Sequence, residues 1–390
     1  MTATASVSPS SYPRFRRLLG VVAALGAVGL IWFGLDLVRD PDGAARFWAG
    51  LYDLVGQAAQ ADAIRARGLE PTQAKLTIGA IALVIGVAGV WLLFVGLDGA
   101  VDLLGPRWSA RLRPYVFIGP AVVMLSVYLV FPTVATIVAS FTEKGGLAAT
   151  WGFVLTDDEM WLAFRNNILW LAVGTAGSVG IGLLVATLVD RVKREALAKT
   201  FIFLPLAISM VGASVIWGFV YAWVPEGETQ IGLANAAWTA LGNAPVPWVQ
   251  VPPVNTFALI LIMVWLQTGF AMVVLSAALK GVPTEIVEAA RMDGAGELAL
   301  FFRVIVPMIR ASIIAVATTI AIAILKVFDI VYVMTGGRFE TEVLANRMFA
   351  EMFTYRNFGR ASAIAVILFI AVVPIMVINI RNLRRQGIGA

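Results

Sequence analysis

The sequence predicts an all-α polytopic membrane protein with about eight transmembrane helices. Three observations predict it. Hydrophobic residues make up 60% of the 390 residues and charged residues only 14%, and mean hydropathy is +0.87, outside the usage of soluble globular chains. Apolar runs of about twenty residues, enough to cross a bilayer's hydrocarbon, recur along the chain. Lysines and arginines collect in alternate connections between those runs, as the positive-inside rule requires.

The first run, Leu18 to Val38, follows a short tail, residues 1–17, that carries Arg14, Arg16 and Arg17. It is longer than a signal-peptide core and a second run follows soon, so it reads as a retained anchor. Arg39 to Lys75 is mixed in charge, with Phe47, Leu51, Leu54 and Val55 at helical spacing. It reads as a short helical linker on the outer surface. Leu76 to Leu97 completes an N-terminal two-helix segment over residues 18–98. Six further runs fill residues 112–385: Tyr115 to Phe141, Asn167 to Val189, Thr200 to Val224, Thr256 to Leu279, Ala311 to Asp329, and Ala361 to Ile380. Between the fifth and sixth runs of the chain, Val224 to Phe257 has no lysine or arginine, and Gly242, Pro245, Pro247, Pro252 and Pro253 break it into loop. That segment is expected outside the cell. An even count places both termini on one side, and the arginines make that side cytoplasmic.

Composition removes much chemistry. With no cysteine and no histidine, disulfides, thiolate nucleophiles, imidazole metal ligands and His-based triads are excluded. None of Lys75, Lys144, Lys193, Lys199, Lys280 and Lys326 follows a glycine, so no phosphate loop ending in Gly-Lys-Ser/Thr exists here. The net charge of +5 is accounted for by topology and gives no reason to expect a nucleic acid.

The most informative stretch is Glu288-Ala-Ala-Arg-Met-Asp-Gly-Ala-Gly296, charged and caught between two apolar runs. Gly281-Val282-Pro283 leaves one run and opens a helix, with Glu285 complementing its dipole. Gly294 supplies a residue able to take positive φ at the helix end. Ala289 and Ala290 let another surface approach closely while Glu288 projects a carboxylate beside them. A second short helix restarts near Glu297 and leads through Phe301 and Phe302 to Pro307. The result is a small, rigid, charged knob.

This stretch resembles the EAA loop of the membrane subunits of bacterial binding-protein-dependent ABC importers, with Glu288, Ala289, Ala290 and Gly294 on the motif's letters and Pro307 closing it. The resemblance implies a coupling loop over residues 281–307, with Asp293 beside the motif's glycine, that docks into a cleft of a cytoplasmic ATPase. It also implies a six-helix core of the type I importer fold, to which the two N-terminal helices are an addition. FRNNILWLAVGT around Asn166 and Asn167, FIFLPLAISMVGASVIWGFVY from Phe201, FDIVYVMTGGRFETEVLANRMF from Phe328 and RNFGRASAIAVI from Arg356 are similar to signature segments of carbohydrate permeases. LKVFDIVYVMTGG and WLQTGFAMVVLSAALKGVP resemble the alpha-glucoside permeases most, relatives of the maltose, trehalose and glucosylglycerol systems. The Thr142 to Arg165 loop is too short for the large external domain that maltose-type permeases insert there. What the resemblance implies is a transport subunit, not an enzyme, in the bacterial inner membrane. Its expected partners are a second permease, an ATPase dimer that holds ATP and magnesium, and a periplasmic or lipoprotein sugar-binding protein; this chain would bind no cofactor itself.

A saccharide needs hydrogen-bond partners and aromatic faces near mid-membrane. The span before the loop offers Trp265, Gln267 and Phe270; the span after it offers Lys326, Phe328 and Asp329, besides Thr318 and Thr319; the fifth offers Ser209 and Ser214. The hydroxyls equally fit helix crossings, and Lys326 with Asp329, three apart on one helix, equally fit a pair at the outer boundary. Gln267 is the strongest candidate, because an amide buried in a span is costly without a partner. Two other function classes compete. An ion-gradient-driven secondary transporter would place ionisable residues inside its spans, which the hydrophobic centres here lack. A membrane glycosyl-transfer enzyme would need paired carboxylates on a groove; Asp157, Asp158 and Glu159 are the tight acidic cluster and read as solvated loop charges or a docking surface.

Overall fold

In the computed structural model the described residues are 42–102, 106–143 and 146–385, with scattered positions between 22 and 33. The tail 1–17 and most of the first expected span, Leu18 to Val38, lie outside them. All regular structure among the described residues is helical. Contacts divide the chain into two units, residues 1–132 and 133–390.

In the first unit the mixed-charge linker forms α1 (Gly43–Leu54) and α2 (Ala58–Arg67), as its apolar spacing predicts. Arg65 on α2 pairs with Asp53 on α1 and, at 3.0 Å, with Asp62 one turn back. Next comes α3 (Pro71–Asp102), joined to α1 by a bond of 2.8 Å from Trp48 Nε1 to Thr77 Oγ1. It packs on the start of α4 (Arg107–Thr142) through an Arg113–Asp98 pair at 2.9 Å and a stack of Phe94 on Phe117.

The second unit begins with the end of α4 and α5 (Gly146–Thr156), followed by α6 (Asp158–Val189). The stretch from Thr142 to Arg165 is therefore mostly helix and not a loop. Asp157 caps α6, accepting from the Met160 N–H at 3.1 Å, so the helix starts nine residues before the apolar run that was expected to begin at Asn167. The expected span Thr200 to Val224 is a bent pair, α7 (Glu195–Ala207) and α8 (Met210–Val220), turned by 102°. Pro205 lies in the 3₁₀ turn that ends α7, and Ser209 then caps α8 by accepting from the Gly212 N–H at 3.0 Å. A short α9 (Leu233–Ala240) interrupts the cation-free segment, and α10 (Val254–Lys280) crosses next. Beyond it lie α11 (Thr284–Met292), α12 (Glu297–Met308), α13 (Arg310–Leu325), α14 (Asp329–Met334), α15 (Leu344–Phe349) and α16 (Phe358–Arg385).

Five helices are long and apolar enough to cross a membrane, or up to seven when each bent pair is one span. The expected eight are thus not reproduced among the described residues, and the missing one is the first, which lies mostly outside them. The core sits on α10, of whose apolar window 61% is buried, against none for α4. Leu259, Met263, Met272 and Leu275 on α10 and Trp170 on α6 are fully enclosed. Where α7 crosses α10 the backbones nearly touch: a Cβ on Gly269 would lie 2.6 Å from the Ile202 carbonyl oxygen, so a small residue is required. Gly269→Val is expected to cost about 3 kcal/mol by overpacking against a backbone that cannot yield, read as a lowered unfolding temperature of the detergent-solubilised protein.

Candidate functional site

The knob predicted between the apolar runs forms as expected. After Lys280 the chain turns at Gly281, and Pro283 precedes the first turn of α11, which carries Glu285. The far end closes as a Schellman motif: the Ala295 N–H donates to the Ala290 carbonyl at 3.0 Å and the Gly294 N–H to the Arg291 carbonyl at 3.0 Å. Gly294 takes φ +84°, the left-handed conformation this closure demands. Asp293 occupies the cap position just before it, its N–H bonded to the Ala289 carbonyl at 3.0 Å. Arg291 ties α11 to α12 through Glu297 at 3.1 Å. No residue of α11 is buried. Glu288 and Ala289 are exposed and Ala290 is half-buried, and Glu288 has no ion pair among the described residues. Further on, a π turn over Phe301–Ile305 precedes Pro307, and α12 meets α13 at a bend of 71°. Glu288, Thr284 and Arg291 line a cavity of about 840 Å³ together with Asp190, Lys280 and Phe301.

The candidate substrate residues fall into two groups that the structure does not bring into one cavity. Trp265, on α10, meets Trp217 of α8 edge-on with ring centres 5.8 Å apart, and Phe270 packs against the core. Gln267 sits at the midpoint of α10, half-buried, and makes no hydrogen bond among the described residues. The other group is at the far end of α13. Lys326 is the exposed cap residue after Leu325, and Phe328 stacks on Tyr332 and meets Phe349 at a tilt, with ring centres 5.0 Å apart in both pairs. Lys326 and Phe328 line an otherwise apolar cavity of about 560 Å³ with Phe349, Leu368 and Phe369. Asp329 opens the separate helix α14. The reading of Lys326 and Asp329 as a pair on one helix is therefore corrected: the helix ends at Leu325 and no ion pair joins them.

Three of the hydroxyls weighed as sugar ligands are consumed within their own helix. Ser214 donates to the Met210 carbonyl at 2.8 Å, Thr318 to Ile314 at 2.8 Å and Thr319 to Ala315 at 2.9 Å. They behave as small residues at crossings.

Sequence reasoning missed a set of asparagines that clamp the loop between α14 and α15. Asn166 donates to the carbonyls of Glu340 and Glu342 at 2.7 and 2.8 Å, and Asn255 to that of Phe339 at 2.6 Å. Asn167 donates to the Leu325 carbonyl at 3.2 Å and accepts from the Leu344 N–H at 2.8 Å. Phe339 and Glu340 are held at φ +58° and +59°. The acidic cluster faces solvent, with Asp158 and Glu159 exposed, but it starts a helix and is not a loop: Asp157 caps α6, and Glu159 pairs with the buried Arg347, which holds Glu351 at 3.2 Å. Burial pushes the Glu351 carboxyl above the usual carboxylate range, with Arg347 and Arg360 opposing that shift.

Residues 178–385 match the family of binding-protein-dependent transport system inner membrane components. The chain belongs to this family. It is 54% identical over 276 residues to an osmoprotective compounds uptake permease of Synechocystis sp., covering 70% of this chain and 99% of that protein. An alpha-glucoside transport system permease of Rhizobium meliloti is 46% identical over 299 residues, covering 75% and 89%. In fold, the chain is similar to a bacterial ABC transporter subunit for import of the polysaccharide alginate, with a TM-score of 0.61 and 18% identity over 72% of this chain and 99% of that one. This membrane permease therefore has the helical fold of an ABC importer, and its EAA stretch occupies a connection between spans.

Asn167→Ala would leave a buried N–H without a partner. The expected cost is about 2 kcal/mol, measured as a fall in thermal midpoint in detergent, with retained helical circular dichroism.

Proposed function

We propose that the chain is one permease half of an ATP-driven, binding-protein-dependent importer of alpha-glucosides, of the maltose, trehalose, sucrose or glucosylglycerol type. Family membership supports the importer class, and the relatives named for alpha-glucoside and osmoprotectant uptake support the substrate class. One observation carries the coupling role: α11 is a nine-residue helix with no buried residue, its end closed by its own backbone, beside a cavity lined by Arg191, Lys280 and Arg291. In this reading that end and both termini face the cytoplasm. Glu288, Ala289, Ala290, Asp293 and Gly294 seat in the cleft of a separate ATPase dimer that binds magnesium and ATP, and Pro307 sets the bend through which motion enters α13. A second permease completes the pathway across the exposed faces of the bundle, and an external binding protein delivers the sugar at the opposite end. The core spans residues 112–385, with the N-terminal helices of residues 18–98 as an addition.

The unpartnered Gln267 amide, at the middle of the most buried helix, is the proposed anchor for a sugar hydroxyl, with Trp265 and Phe270 beside it on α10. Lys326, Phe328 and Asp329 lie further out on the path.

Glu288→Lys is expected to assemble normally yet lower sugar uptake by about tenfold or more while ATP hydrolysis persists; unchanged uptake in proteoliposomes would count against the coupling role. Gln267→Leu should raise the KM for uptake about tenfold, the loss of one hydrogen bond. The substrate class is tested by purifying the complex in mild detergent and measuring which disaccharide, presented on its binding protein, stimulates ATP hydrolysis. Stimulation by none of the alpha-glucosides would refute it.

A further inference from the structure

Charges next to hydrocarbon persist only where they are paired. At the basic end of the second unit, five polar side chains from three stretches meet. Asp190 directly follows α6, Glu195 and Lys199 lie one turn apart on α7, and Ser276 and Lys280 lie one turn apart at the end of α10. Lys199 Nζ is 2.8 Å from Asp190 Oδ1 and 2.6 Å from Glu195 Oε1, and it also donates to Ser276 Oγ. The Ser276 hydroxyl in turn donates to Asp190 Oδ1 at 2.6 Å, and Lys280 donates to Glu195. Two carboxylates thus meet two ammonium groups, and the Lys199 and Asp190 side chains are only 19% and 17% exposed.

The position of this cluster matters as much as its chemistry. Lys280 is the last residue of α10, and only three residues separate it from α11. Asp190 and Lys280 line the same cavity as Glu288. On the other side, α7 runs directly into the 102° bend and α8. Further along, near the midpoint of α10, Gly269 lets the α7 backbone at Ile202 approach closely, a contact that resists compression but carries no directional bond.

We infer that Asp190, Glu195, Lys199, Ser276 and Lys280 form a joint that carries displacement of α11 into α7 and the bent span, with Lys199 and Ser276 as positioning residues for coupled transport. The inference rests on the proposed coupling role of α11. A cluster that served stability alone would leave the response to nucleotide unchanged once the protein had assembled.

The chain has no cysteine, so spin labels can be placed at Leu298→Cys and Phe219→Cys, which are 76% and 74% exposed. The experiment uses the complete complex with its second permease and ATPase dimer in lipid nanodiscs. The distance between the labels is recorded before and after trapping with magnesium, ATP and vanadate. The parent is expected to shift on trapping; Lys199→Met and Ser276→Ala should lose the shift while still trapping nucleotide, and Lys199→Arg should keep it. Should Lys199→Met fail to assemble, the milder Ser276→Ala decides. Variants that shift as the parent does overturn the joint and leave the coupling role of α11 intact. A parent that traps nucleotide without moving overturns that role and the joint with it.

Discussion

Hydrocarbon offers no hydrogen bonds, so every backbone group that leaves a regular helix must be satisfied from within the chain. The rest of the second unit depends on this constraint. Its helices break at Ile208, Ile309 and Lys326, and polar side chains stand close to each interruption. Ser209 closes the first, a π turn before Pro307 prepares the second, and Asn167 takes up the Leu325 carbonyl at the third. The irregular stretch after α14 survives because Asn166, Asn167 and Asn255, from α6 and α10, supply the partners that water would otherwise provide.

The same constraint arranges the charges. Arg347 is buried yet touches Glu159 and Glu351 and packs over the rings of Phe153 and Tyr355 at 5.4 Å. Arg360 adds a second cation 4.0 Å from the Phe153 ring centre. This cluster joins α5 and α6 to α15 and α16 beside the asparagine clamp. A second knot of charge gathers Asp190, Glu195, Lys199 and Lys280 at the opposite end of α6 and α10. The two helices at the centre of the core are therefore pinned at both ends, with apolar side chains packed between them, a condition for moving as one body.

Spans and knob were legible in the sequence because both are local. Twenty apolar residues declare a span wherever it packs, and a glycine four residues beyond Ala290 declares a left-handed closure. Each of the seven expected spans beyond Val38 falls on a long helix or a bent pair. What was not legible depends on partners distant in sequence. The partner of Glu159, Arg347, lies 188 residues away, and Asn166 gave no sign that it would hold carbonyls 174 and 176 residues on. The end of α13 at Leu325 escaped notice because Lys326-Val-Phe-Asp carries no proline or glycine. Its break is enforced by Asn167 and by the aromatic stack of Phe328, Tyr332 and Phe349, all contacts made only after folding.

One consequence follows from the closure of α11. A helix that buries none of its residues, and whose end is closed by its own backbone, is held to the bundle by little more than the Arg291–Glu297 pair and a few half-buried residues. Its outward face can then change without disturbing the membrane core, and substitutions deep in the core leave the closure of this helix in place.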